Sequence, residues 1–378
     1  MEGEKGLEMK IPLTDLKVQY EEIKEEVNSA IKETLAKSDF ILGETVNLLE
    51  KEIAQYIGVK YAVGVASGTD ALVLSLVSLG IGKGDEVITT PFTFVATTEA
   101  ICRVGASPIF CDVEPLTLNI DPSKIEEKIT HNTKAIIPVH LYGMPSDMDK
   151  ITELAKSYNL KVIEDCAQAF GAEYKNKKVG SLGDCGCFSF FPTKILGGCG
   201  DAGMVVTNNQ EVAKKIKMLR NHGSIRKHCY QIHGFNSRLD TLQASILRVK
   251  LKYIDTWIEK RREKANCYHQ VLKEVKGIVT PCNLKGYAHS FNYYTIRVKG
   301  NKRNFLKEYL GKKGISVAVY YPLCLHLQNV YRDLGSKLGD FPVAECAQNE
   351  VLSLPMYPQL TDSQVRKIGE AIREVVLV

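Results

Sequence analysis

Seven short apolar runs alternate with helical stretches between Tyr61 and Asn209, and this rhythm limits the fold more than any other feature of the chain. The runs are YAVGVAS, DEVITT, SPIFCDV, KAIIPVHLYG, LKVIEDCAQ, CFSFF and MVVTNN. Strands covered on both faces read as nearly continuous apolar segments. Strands separated by helices imply a mainly parallel, doubly wound α/β sheet. In such a sheet ligands lie beyond the carboxyl ends of the strands. The residues just past each run are therefore the places to look for chemistry.

The first run passes directly into Gly68-Thr69-Asp70 and the helical stretch ALVLSLVSL. A strand, a turn of small residues and a helix start aim free backbone N–H groups at an anion, and the helix adds about half a positive charge there. Gly68 and Thr69 are thus candidates for a phosphate, although a plain capped helix uses the same residue types. Phe94 follows the second run, where it could stack on a planar ligand or simply fill core. Asp165 ends the fifth run, Lys161 to Glu164. A carboxylate there is costly to bury unless paired, and a cationic ring nitrogen is one suitable partner. Gln168 follows one turn later as a neutral hydrogen-bond donor. The sixth run enters the stretch CFSFFPTKILGGCGDAG, where Pro192-Thr193 ends the strand and presents Lys194 to a glycine-rich loop. Alone, Pro-Thr-Lys reads as a solvated loop lysine. Together, an anion cradle, a flat aromatic, a strand-end acid and a held lysine are the four requirements of pyridoxal phosphate.

Composition closes off other classes. The net charge of +5 over 378 residues is small and the basic residues are dispersed, so no nucleic-acid partner is expected. The densest basic run, Lys260 to Lys264, sits in a helical pattern. Eleven cysteines, scattered and odd in number, indicate reduced, cytoplasmic usage, and no Cys/His set has zinc spacing, so no metal is expected. No run approaches the roughly 18 apolar residues of a membrane span. Residues 1–8 read as a disordered leader rather than a signal peptide.

Helical spacing covers residues 16–35 and 46–56. After the seventh run a polar, His-rich segment, LRNHGSIRKHCYQIHGFNSRLDTLQASI, reads as a functional loop; its histidines have no metal-ligand spacing. One long helical pattern over 239–270 leads to a smaller α+β region. There FNYYTIRV and ISVAVYY read as strands around a helix near Asn304–Leu310. A capping box at Thr361-Asp362-Ser363-Gln364 opens a last helix. The expected domains are residues 1–255, a large cofactor-binding domain, and 256–378, a small C-terminal α+β domain.

The motifs ASGTDAL, TPFTFVAT, VHLYG, EDCAQAFGA, FSFFPTKILGGCGDAG and GFNSRLDTLQA make the chain resemble the DegT/DnrJ/EryC1/StrS family of sugar aminotransferases over nearly its whole length. The resemblance implies a fold-type I pyridoxal-phosphate enzyme. It makes Lys194 the Schiff-base lysine and proton carrier, and Asp165 the partner of the pyridinium nitrogen. Gln168 and Phe94 would contact the ring, and Gly68, Thr69 and Ser189 the phosphate. Asn236 would reach the phosphate of the neighbouring subunit of a homodimer. Retention of Lys194 argues against the dehydrating branch that carries histidine there. The implied reaction moves an amino group from L-glutamate to a keto nucleotide sugar for amino-sugar biosynthesis. NSRLDTLQASILRVKL and VYYPLCLHLQ look most like members acting on 3-keto sugars. Tyr320-Tyr321-Pro322, where uronate-specific relatives can carry His-Tyr-Pro, favours a dTDP-3-keto-6-deoxyhexose. His222, Arg238, Tyr320 and His326 are the sugar-side candidates. The alternatives are a 4-keto (UDP or GDP) or cyclitol aminotransferase, and a non-catalytic cofactor-binding regulator.

Overall fold

A computed structural model describes residues 10–376. The leader expected at residues 1–8 lies outside the described residues. The seven apolar runs become strands of one sheet: β1 Tyr61–Val65, β2 Glu86–Thr89, β3 Ser107–Phe110, β4 Thr133–Ile136, β5 Lys161–Asp165, β6 Cys185–Ser189 and β7 Gly203–Thr207. Their order across the sheet is β1-β7-β6-β5-β4-β2-β3. Only β7 runs against its neighbours; the other pairings are parallel.

Helices cover both faces, as a doubly wound sheet requires. They are α1 Leu16–Lys37, α2 Glu44–Ile57, α3 Gly68–Ser78, α4 Ala96–Arg103, α5 Met148–Ser157, α6 Gln210–Leu219 and α7 Thr241–Leu251. Successive strand residues point to opposite faces, and the cores follow that alternation. Val63, Cys187 and Val205 join α3, α4 and α6 in one core. Ala62, Phe188, Met204 and Val206 join α1, α2 and α7 in another. Past its first turn, helix α3 is mostly apolar because it is largely buried: Ala71, Leu72, Val73, Leu74 and Leu76 are all inside.

The long helical pattern of 239–270 resolves into two helices. Tight i→i+3 bonds from Lys252 N–H to Val249 and Tyr253 N–H to Lys250 end α7, and α8 Ile254–Leu272 restarts in a new direction. Ile254, Trp257 and Ile258 of α8 lie in the large-domain core, whereas Ala265, Tyr268 and Leu272 lie in the second core. The expected boundary at 255/256 thus falls inside a helix that serves both cores.

That second core is built on β8 Ile278–Val279, β9 Tyr294–Val298 and β10 Val351–Leu354, an antiparallel sheet in the order β8-β9-β10. The helices α9 Arg303–Lys312, α10 Pro342–Glu350 and α11 Asp362–Val376 surround it. Thr361 N–H donates to Gln364 Oε1 at 2.9 Å and Gln364 N–H donates to Thr361 Oγ1 at 3.2 Å, the reciprocal pair of a capping box.

Two expectations need correction. ISVAVYY forms no ladder; Ile315 and Ala318 make one isolated bridge each, to Ile11 and to Ser353. Its hydrogen bonds are divided between two partners, after which the chain turns toward the large domain. Ile11, placed by sequence in the large domain, belongs to the small one. It accepts from Ser316 N–H, donates to Gly314 O, both at 2.9 Å, and is buried in the second core. The small domain is docked by Asp112, just past β3. Its carboxylate accepts Val343 N–H (3.1 Å) and Ala344 N–H (3.0 Å) at the start of α10.

Candidate active site

The adjacent parallel strands β5 and β6 deliver the two central groups. Asp165 closes β5 level with Cys187 of β6. Past β6 the chain turns at Pro192-Thr193, and Lys194 N–H closes the turn on Phe191 O at 2.8 Å. Burial around the Lys194 amine pulls its pKa down to about 8, against an opposing pull from the Asp165 carboxylate. About half of such amines are neutral, and so nucleophilic, at that pH. Burial pushes Asp165 up in turn, and Thr97, Ala167 N–H and Lys194 hold it back. Thr97 Oγ1 donates to Asp165 Oδ2 at 2.8 Å and Ala167 N–H to Oδ1 at 3.1 Å.

The anion cradle lies beside them. The α3 cap is Ser67, whose hydroxyl accepts Asp70 N–H at 3.1 Å. Among the described residues, no protein oxygen takes the N–H of Gly68 or Thr69. A Cβ on Gly68 would sit 2.6 Å from Ser189 Cβ and 3.2 Å from Ser189 Oγ. The helix start and the end of β6 are therefore pressed together, with the Ser189 hydroxyl beside Gly68. Gly203, paired with both Val65 and Ser189, allows this approach: a Cβ there would lie 2.3 Å from Ser67 O.

Phe94 is 56% exposed, its ring 6.2 Å from that of Tyr321. Gln168 is buried and largely committed. Its Oε1 accepts Tyr142 N–H at 2.8 Å and its Nε2 donates to Tyr321 OH at 2.9 Å. One N–H of its amide remains for a ligand.

The sequence profile of the DegT/DnrJ/EryC1/StrS aminotransferase family matches residues 21–373. The chain belongs to this family. It is 48% identical to a pleiotropic regulatory protein of Geobacillus stearothermophilus, over 97% of this chain and 98% of that protein. It is 44% identical to the UDP-N-acetyl-3-dehydro-alpha-D-glucosamine 3-aminotransferase of Acidithiobacillus ferrooxidans (97% and 98%). It is 43% identical to the dTDP-3-amino-3,6-dideoxy-alpha-D-galactopyranose transaminase of Aneurinibacillus thermoaerophilus (96% and 98%). Among solved structures, S. venezuelae DesV superposes with a TM-score of 0.94 at 39% identity, covering 97% of this chain and 98% of its own. NtdA from Bacillus subtilis, with bound cofactor PMP, superposes at 0.89 and 36% identity, covering 94% and 82%. The protein is accordingly a pyridoxal-phosphate-dependent sugar aminotransferase of the fold-type I α/β class. Its own residues fit the cofactor: unclaimed amides beside a serine hydroxyl, a buried acid with lone pairs to spare, and a desolvated amine.

For this member of the DegT/DnrJ/EryC1/StrS family, the remaining candidates divide. His222 and Arg238 meet on the segment after α6. Arg238 donates to Asn221 Oδ1 at 3.1 Å and faces His222 Nε2 at 3.5 Å. Asn236 is exposed beside them, bridged through its backbone to Asn221. The ring of Tyr320 lies 4.4 Å from that of Tyr293. His326 does not fit a sugar contact. It is 2% exposed, lies between Phe110 and Phe341, and is 3.0 Å from Glu345, whose carboxylate also accepts Gly339 and Phe341 N–H. Burial lowers its pKa, so it serves as a neutral pin for the 339–341 loop.

Thr93, Thr97 and Tyr142 were not among the residues expected from sequence, and Tyr321 entered only within Tyr320-Tyr321-Pro322. The i,i+4 spacing of the two threonines was visible, but their long-range partner was not. Nor was there a sign of the buried knot around Glu164, whose oxygens accept N–H from Gly180, Leu182 and Gly183. His140 completes it at 3.0 Å, and Cys166 lies close by. With its acceptors so used, Glu164 fixes the loop beneath β5 rather than offering a ligand set.

Proposed function

We propose that the protein transfers an amino group from L-glutamate to a 3-keto sugar carried on a nucleoside diphosphate, a dTDP-3-keto-6-deoxyhexose by preference. One observation carries this reading: a desolvated Lys194 amine and a buried Asp165 at the ends of neighbouring strands, beside the Gly68–Ser189 cradle. The 3-amino sugars in the names of two relatives support the position of the keto group. Tyr321, its ring beside Phe94 and its hydroxyl accepting from Gln168 Nε2, supports a neutral sugar. Phenols recognise hydroxyls by hydrogen bonding, whereas a uronate carboxylate favours a cation.

Bound pyridoxal phosphate supplies a reactive carbonyl and an electron-accepting ring. The chain's groups do the rest. Gly68 and Thr69 amides and the Ser189 hydroxyl hold the phosphate. Asp165 would keep the ring nitrogen protonated, and Phe94 would pack against the ring. Lys194, poised near pH 8, would take a proton from the carbon that bears the migrating nitrogen and return it to the carbon on the other side of that nitrogen. Asn236 serves the phosphate of a second copy in a homodimer. The exposed apolar side chains Phe40, Ile41, Ile225 and Phe235 near that segment support such a face. Eleven free cysteines support a cytoplasmic setting.

The deciding experiment incubates the pyridoxamine-phosphate-loaded protein with a panel of 3-keto and 4-keto nucleotide sugars and weighs the products by mass spectrometry. A 3-amino-6-deoxyhexose nucleotide is expected, with no product from Lys194→Ala. Conversion of 4-keto sugars alone, or full activity in Lys194→Ala, would overturn the reading.

A further inference from the structure

We propose that Thr97, backed by Thr93, is a positioning residue that holds the Asp165 carboxylate ionised and correctly turned toward the cofactor ring. This rests on the role given to Asp165 above. A carboxylate can only accept hydrogen bonds. Thr97 has one hydroxyl proton, and the 2.8 Å bond commits it to Asp165 Oδ2. In the 3.1 Å contact between the two threonine hydroxyls, Thr93 must therefore donate and Thr97 accept. Both residues are buried, so the donors line up in a dry environment where each strengthens the next.

The bond is not the one a helical threonine makes by default. Thr98, the next residue, turns its hydroxyl back to Val95 O at 3.0 Å. Thr97 instead leaves its helix to reach a residue 68 positions away. With Ala167 N–H on Oδ1, each Asp165 oxygen has one protein donor, which fixes the carboxylate plane and leaves lone pairs for a ring N–H. Of the influences that oppose burial at Asp165, Thr97 leads, ahead of Ala167 and Lys194. Thr93 and Thr97 also bracket Phe94, so one turn of chain carries both the ring platform and the device that orients the acid.

The test compares Thr97→Val, Thr97→Ser, Thr93→Val and Asp165→Asn. One readout is the dissociation constant of pyridoxal phosphate from the apoprotein. The other is the pH at which the ring nitrogen loses its proton, followed by ¹⁵N NMR of ring-labelled cofactor. Removing the donor frees the carboxylate plane and raises the carboxylate's own affinity for a proton, so the shared proton moves toward Asp165 and the ring nitrogen keeps it less well. Thr97→Val is expected to weaken binding about tenfold and to move the midpoint down by about one pH unit. Thr97→Ser should restore both and Thr93→Val should show a smaller shift of the same sign. Wild-type affinity and midpoint in Thr97→Val, with both changed in Asp165→Asn, would overturn the positioning role alone. Unchanged values in Asp165→Asn would remove the Asp165 reading and this proposal with it. If Thr97→Val does not fold, a wild-type midpoint in Thr93→Val counts against the proposal.

Discussion

A lysine amine attacks a carbonyl only after losing its proton, and Lys194 reaches that state near pH 8 rather than 10.5. The sign follows from burial: a dry site disfavours the ammonium, so the reactive fraction grows as pH rises through about 8. In the apoprotein, reductive methylation of Lys194 with formaldehyde should therefore rise with a midpoint near pH 8 while surface lysines lag behind. Peptide mass spectrometry across a pH series checks this; a Lys194 midpoint above 10 would show that its amine is solvated. That Asp165 would close one strand and Lys194 follow a second was legible from the apolar runs, which the sheet rule ties to the ligand edge. Thr97 was not, since a threonine near a helix start reads as a cap and its carboxylate lies on another strand. The enclosure of His326 was hidden for the same reason: nothing local announces Glu345 or the aromatic rings around it.

At the scale of elements, the decisive joint is the start of α3 against the end of β6. Gly68→Ala would place a methyl 2.6 Å from Ser189 Cβ. Overpacking of this kind costs about 1–3 kcal/mol, and displaced amides should weaken pyridoxal-phosphate binding at least about tenfold. Adding Ser189→Gly should relieve the stability loss but leave binding weak, because the hydroxyl is gone. Thermal unfolding and cofactor titration separate the two effects; unchanged binding in Gly68→Ala would exclude this helix start as the phosphate site. The seven strands were readable from their apolar runs, yet their order was not. The reversal of β7 between β6 and β1 depends on how the connecting chain crosses, which leaves no mark in residue pattern. ISVAVYY looked like a strand because it is β-branched and apolar, but strand identity requires a continuous neighbour.

For the whole molecule, the proposed sharing of a site between copies makes a quantitative demand. Mixing Lys194→Ala chains with Asn236→Ala chains, each inactive alone, should restore up to about one quarter of wild-type activity after subunit exchange, since half the dimers are mixed and each holds one intact site. No recovery despite proven exchange would place Asn236 in its own chain's site. That Ile11 crosses into the second core was not legible, because its partners lie at the far end of the chain. That crossing also sets an order of construction. Ile11 leaves the ribosome ahead of the large sheet, yet Gly314 and Ser316, which hold it, are made about three hundred positions later. At roughly 5–20 residues per second, this leaves the strap waiting for tens of seconds. Tyr320 and Tyr321 are translated only after those partners, so the packing of their rings on Tyr293 and Phe94 is among the last parts of the nascent protein to close.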